Sequence, residues 1–212
     1  FNVSSITTSD DNPIDIEVND IRPAYVHHVL NIQKGVMMFS EQAQFLLFSE
    51  SDVFSPKTAR LKKVSSYECN PSISPVDMGT SVQWASTTGA YSRTFEAIIV
   101  DDDAPPQVVE LTRVIPEFIP NDVTLSANST ALGLVTYGKA GDSNLYHYKY
   151  FDTGQRRDQS AWFSWKLKGA LQHGLYTSGN FHAVTLENSE YILSRHEFVT
   201  KSDANNSYTL GT

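Results

Sequence analysis

The side chains in this chain that could do chemistry are acidic residues in turns, six scattered histidines and one run of alternating tyrosines. Three consecutive carboxylates, Asp101–Asp103, precede Ala104-Pro-Pro106, and hard cations such as Ca²⁺ gather several oxygen ligands of this kind. The run lacks the glycine and the spaced acidic ligands of a dedicated calcium loop, so a solvated acidic turn is the favoured interpretation. Asp10 and Asp11 receive the same interpretation.

Enzyme chemistry finds little support in the remaining residues. Glycoside hydrolysis needs two carboxyl groups placed across a cleft, and 24 acidic residues give no reason to choose one pair. No serine lies in a Gly-x-Ser-x-Gly turn, and Gly133, Gly138 and Gly141 do not form a phosphate-binding sequence. The sequence therefore predicts no catalytic residue, no cofactor-binding residue and no enzyme activity.

The histidines and the single cysteine do not match a metal site. His27 and His28 are adjacent, so on a regular strand they face opposite sides of the sheet. Cys69 has no second cysteine to pair with and matches no zinc spacing. The other histidines are spread along the chain at His147, His173, His182 and His196. We therefore predict no metal site and no cofactor.

The segment Tyr146–Tyr150 alternates tyrosine with polar residues. On a strand, Tyr146, Tyr148 and Tyr150 lie on one face, with His147 and Lys149 on the other. Three tyrosines on one face could stack on sugars or exposed bases. The commoner outcome is a half-buried face of a sheet with hydroxyl groups at its rim, and this interpretation is favoured.

Trp162 and Trp165 are three residues apart, so a regular strand places them on opposite faces. We expect one to pack between sheets and the other to lie near an interface.

The elements that must position these residues form a strand–turn–strand unit that occurs four times. The units begin at Val36, Val82, Leu134 and His182, so the steps are 46, 52 and 48 residues. A period of roughly 40 to 50 residues built from short strands is typical of β-propeller blades, which stack on their neighbours. The predicted blade-like units lie near 26–70, 71–115, 116–168 and 169–212.

Further strands complete the predicted blades. Candidate outer strands follow three of the units at Thr58–Val64, Gln107–Arg113 and Ser160–Leu167, and β-branched residues after Pro23 favour a strand over a helix at Ala24–Gln33. The sequence predicts an all-β protein, a partial β-propeller of four-stranded antiparallel blades. Residues 1–212 are expected to form a single domain that is a segment of a longer chain. No apolar run approaches the roughly 20 residues that cross a bilayer.

Four stretches, in order along the chain, carry a resemblance to a known family. They are Asp11–Asp15, Gly35–Phe45, Val53–Thr58, and the pair formed by Tyr146–Phe151 with Gln159–Trp165. This set resembles the tail tubular protein B family, the tail nozzle proteins of short-tailed, podovirus-type bacteriophages. The resemblance implies a structural protein of the virion tail, with a family chain several times longer than this one.

The resemblance also implies partners. It implies a hexameric nozzle at the distal end of the tail, continuous with the adjacent tail tubular protein and with tail fibres as further candidate neighbours. The genome would leave the particle through this conduit. Neither a membrane segment nor a cofactor is expected.

Net charge bears on that implied role. Lys and Arg total 16 against 24 for Asp and Glu, which gives −8, whereas a protein that grips nucleic acid presents a basic footprint. A like-charged wall repels phosphates, so transient passage of DNA without specific binding is expected. An alternative function, suggested by the tyrosines and acidic loops, is a carbohydrate-binding or carbohydrate-cleaving propeller that acts on host surface polysaccharide.

Overall fold

A computed structural model describes residues 14, 16, 25–33, 35–51, 53–87, 89–98, 106–153 and 157–198, together with the backbone of two strands at 200–202 and 208–210. The regular secondary structure within these residues consists of β-strands alone. No helix long and apolar enough to cross a membrane is present among them. The all-β prediction is confirmed for this part of the chain.

The strands form four main antiparallel sheets, each made of strands that are consecutive in the sequence. Sheet I contains β1 (Val26–Ile32), β2 (Gly35–Ser40), β3 (Gln44–Ser49) and β4 (Ala59–Ser65). Sheet II contains β5 (Val76–Asp77), β6 (Ser81–Ser86), β7 (Arg93–Ile98) and β8 (Gln107–Glu110). Sheet III contains β9 (Leu125–Ser129), β10 (Leu134–Gly138), β11 (Asn144–Asp152) and β12 (Arg157–Lys166).

Sheet IV has three strands, and a separate strand pair follows it. Sheet IV contains β13 (Ala170–Thr177), β14 (Asn180–Glu187) and β15 (Glu190–Glu197), and the pair contains β16 (Thr200–Ser202) and β17 (Tyr208–Leu210). Within each sheet the spatial order of the strands equals their order in the chain. Each sheet is therefore an antiparallel meander.

Three hydrophobic layers lie between successive sheets, and each layer draws buried residues from both. Layer A, between sheets I and II, contains Met37, Phe39, Cys69, Val82, Trp84, Phe95 and Ala97. Layer B, between sheets II and III, contains Ile73, Val76, Met78, Ala85, Ile119, Val123, Val135, Tyr137, Tyr148 and Tyr150. Layer C, between sheets III and IV, contains Leu125, Leu145, Leu167, Leu171, Phe181 and Ala183.

Strand β6 shows how one sequence serves two layers. All six of its residues are buried. Because successive side chains point to opposite faces, Val82 and Trp84 enter layer A while Ala85 enters layer B. A strand covered on both faces reads as a nearly continuous buried run rather than an alternating one.

The packing around Gly174 in β13 is so tight that no side chain fits there. A Cβ at this position would lie 2.5 Å from Cζ of Phe181, on the adjacent strand of sheet IV, and 3.2 Å from Cδ2 of Leu125 in sheet III. The first strands of sheets II and III are also joined directly, since Asn128 Nδ2 in β9 donates a hydrogen bond to the Asp77 carbonyl in β5. Ser126 Oγ in β9 donates to the Ser74 carbonyl, just before β5, over 2.6 Å.

The arrangement is a stack of sequential sheets, as in a propeller, and the predicted propeller-like fold is confirmed in this partial form. No hydrophobic layer joins sheet I to sheet IV among the residues that the structure describes. The stack formed by these residues is therefore open.

The predicted strands compare closely with the observed ones. The eight strands of the repeated units correspond to β2 and β3, β6 and β7, β10 and β11, and β14 and β15. The preference for a strand at Ala24–Gln33 is confirmed by β1. The outer strand predicted at Gln107–Arg113 is too long, because β8 ends at Glu110 and turns follow it.

Candidate functional site

The most elaborate polar cluster in the described residues joins sheet II to sheet III. Glu96 lies on β7, in the middle of sheet II, with a side chain only 1% exposed. It accepts a hydrogen bond from Ser81 Oγ over 2.5 Å and another from Nη1 of Arg157, at the start of β12. A buried carboxylate is tolerated when it is paired and hydrogen-bonded in this way.

Arg157 also makes several contacts within its own sheet, sheet III. Its Nε donates to Asp152 Oδ1 over 2.8 Å and its Nη2 donates to Asp152 Oδ2 over 3.2 Å, a two-pronged geometry that only a planar guanidinium can provide. Its Nη1 also lies 3.2 Å from the Tyr148 hydroxyl. The guanidinium carbon stands 4.9 Å from the ring centre of Tyr150, within the range of a cation–π contact.

The electrostatics of this cluster keep the arginine charged. Desolvation alone would lower the pKa of Arg157, but its hydrogen bonds to Asp152 and Glu96 outweigh that effect and raise the pKa. Both carboxylates are occupied by one cation, so neither is poised as a free acid or base. The cluster acts as an ionic clamp between two sheets, and we refer to Glu96, Asp152 and Arg157 as the ionic clamp.

A second polar group is enclosed in the interface between sheets III and IV. The imidazole of His147 has its ring centre 4.9 Å from that of Phe163 and 4.8 Å from that of Trp165. Its Nδ1 lies 2.8 Å from Thr136 Oγ1, which in turn lies 2.7 Å from the Tyr176 hydroxyl. Burial, and secondarily the nearby His196, lowers the pKa of His147 to about 3. The ring is therefore neutral at pH 7 and packs as an aromatic side chain.

The alternation predicted for Tyr146–Tyr150 is observed. Tyr148 and Tyr150 are buried in layer B and Tyr146 packs against it, while His147 faces sheet IV. The favoured interpretation, a half-buried face of a sheet, is therefore confirmed. Because the rings of Tyr148 and Tyr150 are buried in layer B, they are not free to stack on sugars or bases.

The two tryptophans lie on opposite faces of β12, as predicted. Trp162 packs against layer B and Trp165 packs against layer C. We expected one to pack between sheets and the other to lie near an interface; both pack between sheets, because sheet III is covered on both sides.

Other candidate residues do not come together. Asp101–Asp103 and the pair Asp10 and Asp11 lie outside the described residues. His27 lies 3.5 Å from a carboxylate oxygen of Glu41. No group of three or more metal-ligating side chains occurs in the described part of the chain.

Solvent-open clefts lie at the seams between sheets, and the acidic groups of the two clefts that adjoin sheet III are already engaged. The cleft between sheets II and III has Asp152 on its wall, which is bound by Arg157. The cleft between sheets III and IV has Asp142 and Glu187 on its wall. Asp142 accepts a hydrogen bond from the Ser143 amide over 2.6 Å, and Glu187 lies 3.3 Å from Lys168 Nζ.

Sequence reasoning missed the ionic clamp because its members lie far apart in the chain. Glu96 and Arg157 are separated by 61 positions. The available signal was a carboxylate between Phe95 and Ala97, in the middle of a strand predicted to be central. A charge at such a position requires a partner.

The fold and its polar clusters define a structural protein of stacked β-sheets whose charged interior groups hold neighbouring sheets together. The family model of the bacteriophage nozzle protein matches residues 1–210, and the chain belongs to this family. It is a structural component of the phage virion tail.

A curated relative supports the same assignment. The chain is 23% identical over 202 residues to the tail tubular protein gp12 of Escherichia phage T7. The match includes 94% of this chain and 24% of the relative. The chain thus spans about a quarter of the length of that relative.

Proposed function

We propose that this chain is one portion of a ring-forming nozzle subunit that lines or supports the conduit through which the phage genome leaves the particle. The observation that carries the proposal is the match of the nozzle family to nearly the whole chain. In this proposal residues 1–212 form a single propeller-like domain of a longer subunit, with units near 26–70, 71–115, 116–168 and 169–212.

The role is mechanical and includes no catalytic step. The charges of the ionic clamp are mutually satisfied, and they join sheets II and III without leaving a free acid or base. The partners in this proposal are further copies of the subunit in a hexameric ring, the adjacent tail tubular protein and tail fibres.

DNA is a transient cargo in this proposal. The net charge of −8 gives the chain a repulsive average field toward phosphates. Nucleic-acid binding that depends on neutralising phosphates with Lys and Arg is weak for such a surface.

The assembly is tested by imaging the full-length subunit in negative stain and by cross-linking it under assembly conditions. We expect closed rings of uniform size. A subunit that stays monomeric under conditions in which tails assemble would contradict the proposal.

The weak interaction with DNA is tested by retention of duplex DNA on the full-length protein at low and moderate salt. A matched control carries Glu41→Lys, Glu117→Lys, Asp122→Lys and Glu190→Lys, all at surface positions, and changes the net charge of this portion from −8 to 0. We expect retention by the control at low salt and little retention by the natural protein. Tight, salt-resistant binding by the natural protein would contradict the proposal.

A further inference from the structure

The outer face of sheet IV carries a cluster of exposed apolar residues. On β14, Phe181 and Ala183 are fully buried in layer C, so the alternating residues Val184 and Leu186 point to the opposite face. Their cross-strand partners on β15 are Leu193 and Tyr191, and these four residues are contiguous. Leu175 on β13 lies on the same face, at its edge, where its cross-strand partner is His182. We refer to Leu175, Val184, Leu186, Tyr191 and Leu193 as the outer patch.

The outer patch is exposed to an unusual degree for such residues. Leu193 and Tyr191 are each 72% exposed, and Leu175 is 45% exposed. Single exposed apolar residues are common on protein surfaces, but a contiguous apolar face marks a site of contact. The composition of the outer patch, aliphatic with one aromatic ring, is that of layer C on the other side of the same sheet.

The pattern of the described layers indicates what covers this face. Layers A, B and C each join two sheets that are consecutive in the sequence. The connections can be short, since only residues 167–169 separate β12 from β13. A sheet attached through a short connection is held at a high effective concentration at its neighbour's face.

The backbone after β15 leaves sheet IV, although Phe198 still packs against layer C. Strands β16 and β17 pair with each other and do not extend sheet IV, and the T7 relative is about four times as long as the matched portion. We infer that a further antiparallel sheet, formed by the polypeptide C-terminal to Glu197 of the same subunit, stacks on the outer patch. This inference rests on the proposed function only in treating the chain as part of a longer subunit.

Thiol labelling tests the inference in two proteins, the 212-residue chain and the full-length subunit. Leu193→Cys and Leu175→Cys place a thiol in the outer patch, and Val114→Cys, at a position 86% exposed, is the reference. The natural Cys69 gives a slow background, because burial raises the pKa of its thiol to about 12. The probe is a maleimide, used at protein concentrations low enough to keep both proteins monomeric.

We expect both outer-patch variants to label at least about tenfold more slowly in the full-length monomer than in the 212-residue chain, because labelling then requires local opening of a packed interface. The reference variant is expected to label at similar rates in both proteins. The two outer-patch positions lie on different strands, so one variant suffices if the other fails to fold.

Two outcomes would overturn the inference. Equal labelling in the two proteins would show that the longer polypeptide leaves the outer patch uncovered. Protection that appears only in assembled rings and disappears in the full-length monomer would assign the patch to a neighbouring copy. Failure of the full-length protein to form rings would count against the proposed function. The labelling rates of the 212-residue chain and the full-length monomer would still test whether the outer patch is covered.

Discussion

Layer A and layer B join neighbouring sheets through different chemistry. Layer A is built around Trp84, whose ring centre lies 5.5 Å from that of Phe39 and 5.7 Å from that of Phe95. Layer B contains tyrosines and, at its border, the ionic clamp. Apolar packing is strong but non-directional, whereas a guanidinium donates paired hydrogen bonds to a carboxylate only in a few orientations.

This difference indicates that layer A and the ionic clamp contribute differently to the stability of the stack and to the orientation of its sheets. Buried aromatic side chains contribute most of their stabilisation by leaving water. A buried ion pair contributes little net stability, because desolvation offsets its attraction, although removal of one partner is costly. We therefore expect layer A to dominate stability and the ionic clamp to fix how sheet III sits on sheet II.

The largest expected effect is the loss of the central aromatic ring of layer A. Trp84→Ala removes a side chain that is 1% exposed and should lower the free energy of unfolding by about 3–5 kcal/mol. Denaturant unfolding measures this change. Val114→Ala, at an exposed position, is the control and should change stability by less than about 0.5 kcal/mol. A loss below about 1 kcal/mol for Trp84→Ala would contradict the expectation that layer A dominates stability.

The ionic clamp sharpens the comparison through a double-mutant cycle. Glu96→Leu leaves the partly buried Arg157 with one carboxylate and should cost about 3 kcal/mol, near the lower end of the range for broken buried pairs. The double variant Glu96→Leu with Arg157→Met should recover more than half of that loss, because neither member of the Glu96–Arg157 pair then remains without the other. Urea unfolding of Glu96→Leu, Arg157→Met and the double variant gives the coupling energy. Additive losses would show that the pair is not coupled.

Layer C extends the comparison to an apolar interface that is bordered by the buried titratable ring of His147. The pKa of His147 is about 3 in the folded protein and about 6.5 in the unfolded chain. Between these values the unfolded state binds more protons, so the stability due to neutral His147 is full above pH 6.5 and is lost as the pH falls toward 3. At pH 4.5 the loss relative to pH 7 should be about 2–3 kcal/mol.

The control for this pH dependence is His147→Phe, which keeps an aromatic ring and removes the titration. Chemical unfolding of both proteins at pH 7 and pH 4.5 isolates the contribution of the histidine from that of the carboxylates. If both proteins lose the same stability on acidification, the burial of a neutral His147 has no energetic consequence.

The smallest expected effect is that of adding a methyl group at Gly174, where the packing is tight. In Gly174→Ala the new methyl group would meet Phe181 and Leu125, and we expect a loss of about 1–3 kcal/mol from overpacking. The exposed Gln172 on the same strand provides the control, because Gln172→Ala should have little effect. Thermal unfolding compares the two variants. Equal midpoints would mean that Phe181 and Leu125 can move away from the new methyl group without loss of stability.

Much of the strand content could be predicted from the sequence, because the signal is local. The alternation in Tyr146–Tyr150 and the polar turns between apolar runs predicted β10, β11 and their neighbours. The first strands β5, β9 and β13 were not predicted. A strand such as Leu125–Ser129 is short and mostly polar, and it pairs through its backbone with β10. Side-chain patterns carry little information about such pairing.

The ionic clamp could not be predicted, because it depends on how two sheets stack. Glu96 and Arg157 meet only after sheets II and III have formed and packed, and many acidic and basic residues would have been equivalent candidates. The buried state of His147 illustrates the same limit. Its position on one face of a strand could be predicted, but the rings of Phe163, Trp165 and Phe198 that enclose it come from other strands or segments.

The sequential order of strands in every sheet has a consequence for synthesis. Because each described strand pairs with a strand adjacent in the chain, a sheet can be completed as soon as its last strand has left the ribosome, without waiting for distant sequence. Each finished sheet then presents a face on which the next can condense. Such a chain can fold from its N-terminal end at the pace of translation, which limits the time during which unpaired strand edges are open to aggregation.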